Sequence, residues 1–115
     1  MPSEDSILDS EQVNNLKELF SEGFGEFLTT YFEDFEKKDL ELADALKNKN
    51  LEEIPKIAHS LKGSSLNVGA SALAKSCFDL ETASKNGNIE EVTKCYNAAH
   101  NVYPETKKAL QAVSK

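Results

Sequence analysis

The sequence predicts an all-α protein, an antiparallel four-helix bundle with a short additional N-terminal helix. Apolar residues recur at three- and four-residue intervals in successive segments, and no segment shows the alternation or the clustered β-branched residues that a strand requires. Short connections between such helices favour antiparallel neighbours. At 115 residues the chain has the length of one compact domain, so we expect a single domain over residues 1–115, with residues 1–9 as a flexible N-terminus.

The first two helices follow from their apolar spacing. A short leading helix is predicted from Ser10 to Phe20, with Asp9 or Ser10 available as its N-cap. A long amphipathic helix is predicted from Gly23 to Lys49, with acidic residues and lysines between its apolar positions. Those apolar positions are Phe24, Phe27, Leu28, Tyr31, Phe32, Phe35, Leu42, Ala45 and Leu46.

Capping residues mark the start of the third helix, which is predicted from Leu51 to Leu66. The Asn50 side chain can accept a first-turn N–H, and Glu53 can reach back to the cap, as in a capping box. Pro55 suits the first turn, because the N–H groups of that turn have no partner within the helix.

Two further helices complete the predicted bundle. The fourth is predicted from Ala70 to Asn86, and Gly87 provides a C-terminal stop. The last is predicted from Ile89 to Val113, with Asn88 repeating the capping signal and Pro104 either kinking or breaking the helix.

Composition excludes several classes of function. The net charge is −7, and the lysines are scattered among the acidic residues, so nucleic acid is not an expected partner. Cys77 and Cys95 form no metal-binding or CxxC pattern and are interpreted as small apolar helix residues. The sequence shows neither a signal peptide nor an apolar run long enough to span a bilayer. We therefore expect a cytoplasmic protein with no membrane partner.

The segment Ile57-Ala-His-Ser-Leu-Lys-Gly63 contains the residues that could take part in a chemical reaction. At about 100° per residue, the apolar side chains of this helix face the core, and His59 points about 140° away from them. Lys62 and Gly63 lie about one turn further on, beside His59. His59 is therefore predicted to be exposed, and the residues predicted to be buried are Ile57, Leu61, Leu73, Cys77 and Leu80.

This arrangement suits phosphoryl transfer. Imidazole is largely neutral near pH 7, so a ring nitrogen keeps the lone pair that attacks phosphorus, without an activating base. The Lys62 ammonium can offset negative charge on the transferred group. A glycine within a helix costs about 0.5–1 kcal/mol relative to alanine, and Gly63 would allow another protein to approach His59. From the residues alone, a structural interpretation is equally good. His59 could be a solvated histidine, Lys62 an ordinary surface lysine, and Gly63 a glycine required for close packing.

An HxxKG core runs from His59 to Gly63, followed by Val68-Gly69-Ala70, Leu73 and Cys77. This combination resembles the signature of histidine-containing phosphotransfer domains, over about residues 31–87. The resemblance implies that the core lies on the second helix of a four-helix bundle. It also implies that His59 is the phosphorylated residue, Lys62 contacts the phosphoryl group and Gly63 gives the partner access.

Members of this family often carry a polar residue, frequently glutamine, twenty-two positions after the histidine. Here that residue is Glu81. Its carboxylate could accept the Nδ1 proton of His59 and leave Nε2 free to attack, or Glu81 could be an ordinary surface residue. Lys85 could add positive potential, although a solvated lysine is the preferred interpretation. His100 lacks a following Lys-Gly pair and is not the predicted site.

The resemblance implies a phosphorelay intermediate that accepts a phosphoryl group from a receiver-domain phosphoaspartate and passes it to an aspartate on another receiver. The implied partners are response-regulator receiver domains and a hybrid histidine kinase. The chain needs no cofactor of its own, and Mg²⁺ is expected on the receiver. No glycine-rich nucleotide loop is visible, so we expect a phosphotransfer protein without kinase activity. We also expect it to be a monomer. The alternative is a helical docking module that is never phosphorylated. A bundle with a di-metal site would require paired Glu-x-x-His motifs, and the sequence has none.

Overall fold

The computed structural model describes residues 7–114, and over this range it contains helices and turns but no strand. The predicted all-α fold with a short leading helix is confirmed. In chain order the elements are α1 (Ser10–Phe20), a 3₁₀ turn (Ser21–Gly23), α2 (Phe24–Lys47), α3 (Glu53–Asn67), α4 (Ser71–Asn86) and α5 (Ile89–Ser114).

Helices α2 to α5 form the four-helix bundle. Each helix packs against the one that precedes it, and α5 closes the ring by packing against α2. Short connections make successive helices antiparallel, and the most extensive interfaces are those that α4 makes with α3 and α5. Over residues 7–114, every helix is too short or too polar to cross a lipid bilayer.

The core lies where the apolar faces of the four helices meet. It includes all the side chains predicted to be buried around the candidate site, which are Ile57, Leu61, Leu73, Cys77 and Leu80. Phe24, Leu28, Phe35 and Leu42 of α2 contribute to the same cluster. Because α3 turns this face inward, the opposite face of the helix is left to solvent.

The prediction of a flexible N-terminus over residues 1–9 is wrong for residues 7–9. Leu8 is only 2% exposed and belongs to the core, and the Asp9 N–H donates to the Gly69 carbonyl at 2.7 Å. The Asp9 side chain also caps α1 by accepting the Gln12 N–H. Apolar burial and these hydrogen bonds fix the segment against the end of α3. Residues 1–6 lie outside the described residues.

Several predicted helix boundaries are corrected by one or two residues. The long helix starts after Gly23, because Ser21 adopts a φ of 47° and residues 21–23 form a 3₁₀ turn. It ends before Lys49, whose φ of 53° is incompatible with a right-handed helix. Helix α3 begins two residues after the predicted Leu51, and α4 begins one residue after the predicted Ala70.

The predicted caps are confirmed in their main features. The Asn50 side chain accepts the Glu53 N–H at 3.2 Å, and the Asn88 side chain accepts two first-turn N–H groups of α5. The reach-back of Glu53 is wrong, because the Asn50 N–H already donates to the Ala45 carbonyl at 2.8 Å. Gly87 ends α4 in the left-handed conformation, with a φ of 78°.

Helix α5 continues through Pro104 as one helix of 26 residues. Packing on both sides of the proline compensates for the hydrogen bond that it cannot donate. The Tyr103 ring stacks on Phe35 of α2 with 4.1 Å between centroids, and Thr106 and Leu110 are buried on the two turns that follow the proline. The interpretation of Pro104 as a break is therefore wrong.

Candidate functional site

His59 lies near the middle of α3 and points out of the bundle. Its side chain is 66% exposed, whereas Ile57 and Leu61 of the same helix are buried. The prediction that His59 is exposed is confirmed. An exposed imidazole on a helix whose other face is anchored in the core is accessible to a second protein without any rearrangement of the fold.

The His59 ring is held by Glu81, which lies opposite it on α4. The Nδ1 atom of His59 is 3.1 Å from Oε2 of Glu81 and 3.3 Å from Oε1. The Glu81 side chain is only 8% exposed, so the interpretation of Glu81 as an ordinary surface residue is wrong. A carboxylate can only accept a hydrogen bond, so a neutral His59 carries its proton on Nδ1 and its lone pair on Nε2.

Two lysines bind the same carboxylate. The Lys62 Nζ atom of α3 lies 3.3 Å from Oε1 of Glu81, and the Lys85 Nζ atom of α4 lies 3.0 Å from Oε2. Lys85 is solvated, as the sequence indicated, since its side chain is 64% exposed, and it is also paired with the carboxylate that contacts His59. The signal for it was available in the sequence, because residues 81 and 85 lie one helical turn apart on the same face.

The environment of Glu81 keeps its carboxylate ionised. Burial alone would raise its pKa, but the hydrogen bonds from Lys85, His59 and Lys62 outweigh burial and lower the pKa from 4.5 to about 2. Two ammonium groups facing one carboxylate leave an excess of one positive charge beside the imidazole. The site can therefore fix a neutral histidine tautomer and also attract an anionic group.

Gly63 lies one turn after His59, and its surroundings are open. A Cβ atom built at this position would meet no heavy atom within 4 Å, other than those of its own helix backbone and chain neighbours. Close packing within the chain therefore does not require a glycine here, which excludes one of the interpretations that the sequence left open. The open space adjoins the exposed face that carries the His59 ring.

An open groove of about 490 Å³ adjoins His59 on the side towards the start of α3. On the other side of the site, Leu66 and Phe78 expose apolar surface. The Lys62 Nζ atom lies 5.1 Å from the centroid of the Phe78 ring. The sequence contains no signal for this contact. Phe78 occupies an ordinary helix position, and its pairing with Lys62 depends on how α3 and α4 pack. The groove is lined by Glu52, Pro55, Lys56, His59, Glu81 and Lys85.

The serines near His59 are each engaged in hydrogen bonds. Ser60 accepts a hydrogen bond from the Lys38 ammonium at 2.7 Å, and Ser64 donates to the Leu61 carbonyl of its own helix. Ser65 is buried and lies 2.7 Å from the Tyr31 hydroxyl. None of these contacts provides a base for a serine hydroxyl.

His100 occupies a different setting on α5. Its Nδ1 atom lies 2.9 Å from Oδ2 of Asp39 on α2, and its ring stacks on Tyr96. This contact joins two helices of the bundle. Among the residues that the structure describes, no group of three His, Cys, Asp or Glu side chains is arranged to hold a metal ion.

Comparison with known families identifies the family of this chain. The family model described as Hpt domain matches residues 26–115. This chain belongs to the Hpt domain family. Its role is accordingly histidine phosphotransfer in a phosphorelay, in which Hpt domains interact with receiver domains and histidine kinases. Helix α1 of this Hpt domain precedes the matched residues.

Solved structures of histidine-containing phosphotransfer proteins share the fold of this Hpt domain. Phosphotransfer protein B (HptB) of Pseudomonas aeruginosa PAO1 has a TM-score of 0.88 at 24% identity, over 93% of each chain. The protein MtHPt2 of Medicago truncatula has a TM-score of 0.84 at 28% identity, over 92% of this chain and 76% of its own. The maize protein ZmHP2 has a TM-score of 0.81 at 24% identity, over 89% and 79%. A search of curated proteins found no match to this chain.

Proposed function

We propose that this Hpt domain carries its phosphoryl group on Nε2 of His59, accepting it from a phosphoaspartate of one receiver domain and donating it to an aspartate of another. One observation supports this proposal above all others. The exposed ring of His59 has its Nδ1 atom bound to the ionised Glu81, so Nε2 is the nitrogen with an available lone pair.

The transfer step conserves the proton of the ring. The Nε2 lone pair attacks phosphorus, an N–P bond forms, and the P–O bond to the donor aspartate breaks with its electron pair staying on the aspartate carboxylate. The Nδ1 proton remains on the ring, which becomes positively charged, and the Glu81 carboxylate at 3.1 Å offsets that charge. Onward transfer reverses these changes, since a protonated ring is a good leaving group.

In this proposal Lys62 and Lys85 both bind Glu81, and Lys62 also contacts the phosphoryl group. They keep the carboxylate ionised in the free protein, as the low pKa of Glu81 indicates. When the phosphoryl group arrives, the Lys62 ammonium exchanges one of its contacts for a phosphoryl oxygen and offsets its charge. Gly63 leaves the approach to His59 open for the receiver.

We further propose that residues 1–115 act as one monomeric domain in the cytoplasm, without kinase activity, cofactor, nucleic-acid partner or membrane partner. The sequence has no glycine-rich nucleotide loop, and its acidic net charge of −7 disfavours nucleic acid. Mg²⁺ would be held by the receiver, where it neutralises oxygens of the transferred group.

Incubation with a panel of phosphorylated receivers tests the proposed function. We expect this Hpt domain to take label from at least one receiver and then pass it to an unphosphorylated receiver. Incubation with ATP alone should leave it unlabelled. Stable binding to receivers with no label acquired from any of them would contradict the proposal.

The alternative function is a docking module that never carries phosphate. The exposed apolar side chains of Leu66 and Phe78 favour some docking in either case. The two functions separate in a His59→Ala variant, because a pure docking protein should retain its signalling activity in cells when this side chain is lost. A phosphorelay intermediate should lose its signalling activity completely.

We predict that Lys62→Ala slows transfer by about 10- to 100-fold, because an ammonium group that offsets charge on the phosphoryl group is lost. The helical content should be unchanged, since Lys62 lies outside the core. Lys75→Ala is a matched control, because Lys75 also forms an ion pair on this bundle, with Asp79. Equal single-turnover rates for Lys62→Ala, Lys75→Ala and the parent would remove Lys62 from the mechanism.

We predict that Gly63→Gln stabilises the protein by about 0.5–1 kcal/mol, because the glycine is the poorer helix former and the new side chain enters open space. Transfer from a phosphorylated receiver should nevertheless fall, since the glutamine obstructs its approach. Transfer from a small donor such as phosphoramidate should be unchanged.

Gly25→Gln provides the control for this comparison, because Gly25 lies in α2 and also faces open space. It should leave transfer from both donors unchanged. Undiminished transfer from the receiver to the Gly63→Gln variant would refute the role of Gly63 in access.

A further inference from the structure

Phe78 lies on α4, one turn before Glu81, and does not belong to the core. Its side chain is 51% exposed, so one face of the ring is available to solvent and to neighbouring side chains. The Lys62 Nζ atom lies 5.1 Å from the ring centroid and 3.3 Å from Oε1 of Glu81. Lys62 therefore has two anchors on α4, an aromatic face and a carboxylate.

The two anchors restrict a side chain that would otherwise be mobile. A lysine side chain has four rotatable bonds, and holding its ammonium in one place costs conformational entropy. The Lys62 side chain is only 24% exposed, whereas that of Lys85, which binds the same carboxylate, remains mostly exposed. The aromatic face attracts a cation through its quadrupole and limits where the ammonium can go.

The contact of Lys62 with Phe78 differs from its contact with Glu81 in how it responds to an arriving anion. An arriving phosphoryl group competes with Glu81 for the Lys62 ammonium, since both are anionic. The uncharged ring does not compete with the phosphoryl group for hydrogen-bond donors. It can therefore hold the ammonium beside His59 while the ammonium changes its anionic partner.

We propose that Phe78 is a positioning residue for Lys62, and that its ring keeps the Lys62 ammonium beside the phosphoryl group during transfer. This inference rests on the proposed function of His59 and Lys62. Phe78 acts through Lys62 and has no chemical step of its own.

A double-mutant cycle tests this proposal. Phe78→Leu keeps an apolar side chain but removes the ring, and we expect it to slow single-turnover transfer by about two- to five-fold, the range expected for an exposed cation–π contact. Phe78→Tyr keeps the ring face and should transfer at the parent rate. In a Lys62→Ala background, Phe78→Leu should cause no further loss.

The solution contact can be checked by NMR on the unphosphorylated protein. The Lys62 ε-methylene protons should be shifted upfield by the ring in the parent and in Phe78→Tyr, and this shift should be lost in Phe78→Leu. A parent spectrum without the shift would overturn the proposal.

The kinetic outcomes also separate the alternatives. Equal slowing by Phe78→Leu with and without Lys62 would show that the ring contacts the receiver directly and would overturn the positioning role. Unchanged transfer by Phe78→Leu would overturn it as well. Failure of the underlying function is distinguishable, because it would appear as no label in the parent from any receiver, or as label that persists after His59→Gln.

Discussion

His59→Gln should lose at least about 1000-fold in the rate of phosphoryl acceptance from an active receiver, because the variant has no nucleophilic nitrogen at this position. The loss should not arise from misfolding. His59 is exposed outside the core, so the free energy of unfolding should change by no more than about 1 kcal/mol. Rapid-quench transfer assays together with urea denaturation measure the two quantities.

His100→Gln is the matched control for this experiment. His100 is also an exposed histidine whose Nδ1 atom contacts a carboxylate, but it lacks the lysine contacts found at the site of His59. This variant should accept the phosphoryl group at the parent rate. Loss of transfer in His100→Gln, with normal transfer in His59→Gln, would show that the reaction takes place at His100 and not at His59.

Glu81→Gln should destabilise the protein by about 3 kcal/mol near pH 6, and most of this difference should disappear by pH 3. The pKa of Glu81 is lowered from 4.5 to about 2 in the folded protein, so its ionised form stabilises the fold above pH 4.5. That stability is lost as the pH falls from 4.5 towards 2, because the folded state then takes up the proton that the unfolded state already holds. Urea denaturation of parent and variant at several pH values measures the difference.

The control for Glu81→Gln is Glu41→Gln, which removes an exposed carboxylate from α2. Its stability relative to the parent should vary little over the same pH range, because surface ion interactions are weak. A difference between parent and Glu81→Gln that stays constant from pH 6 to pH 3 would contradict the ionised state of Glu81. The tautomer argument for His59 would then lose its support.

Much of the fold could be predicted from local signals in the sequence. The spacing of apolar residues predicted the burial of Leu61 and Leu80, and Asn50 and Gly87 marked helix ends through their own side chain or backbone preference. Segments governed by tertiary contacts were predicted poorly. Leu8 is fixed by burial in the core, and the helix through Pro104 is held by packing on both of its sides, which helix propensities do not encode.

The candidate site also has features that the sequence predicted and features that depend on how the helices pack. Helical geometry predicted that His59 is exposed and that Lys62 and Gly63 lie beside it, since all three belong to one helix. The sequence could not decide the environment of Glu81, because its burial and its contact with His59 depend on how α3 and α4 pack. The contact of Phe78 with Lys62 crosses the same interface and had no signal in the sequence.

The most direct test of the central claim is the chemical stability of the label on the phosphorylated protein. The protein is phosphorylated from an active receiver, and label retention is compared after acid and after alkali, in the parent and in His59→Gln. A phosphoryl group on imidazole nitrogen is lost in acid, where the protonated ring becomes a good leaving group, and survives alkali. We expect acid-labile, alkali-stable label in the parent and no label in His59→Gln. Acid-stable label, or label that persists in His59→Gln, would assign the phosphoryl group to a hydroxyl and contradict this account.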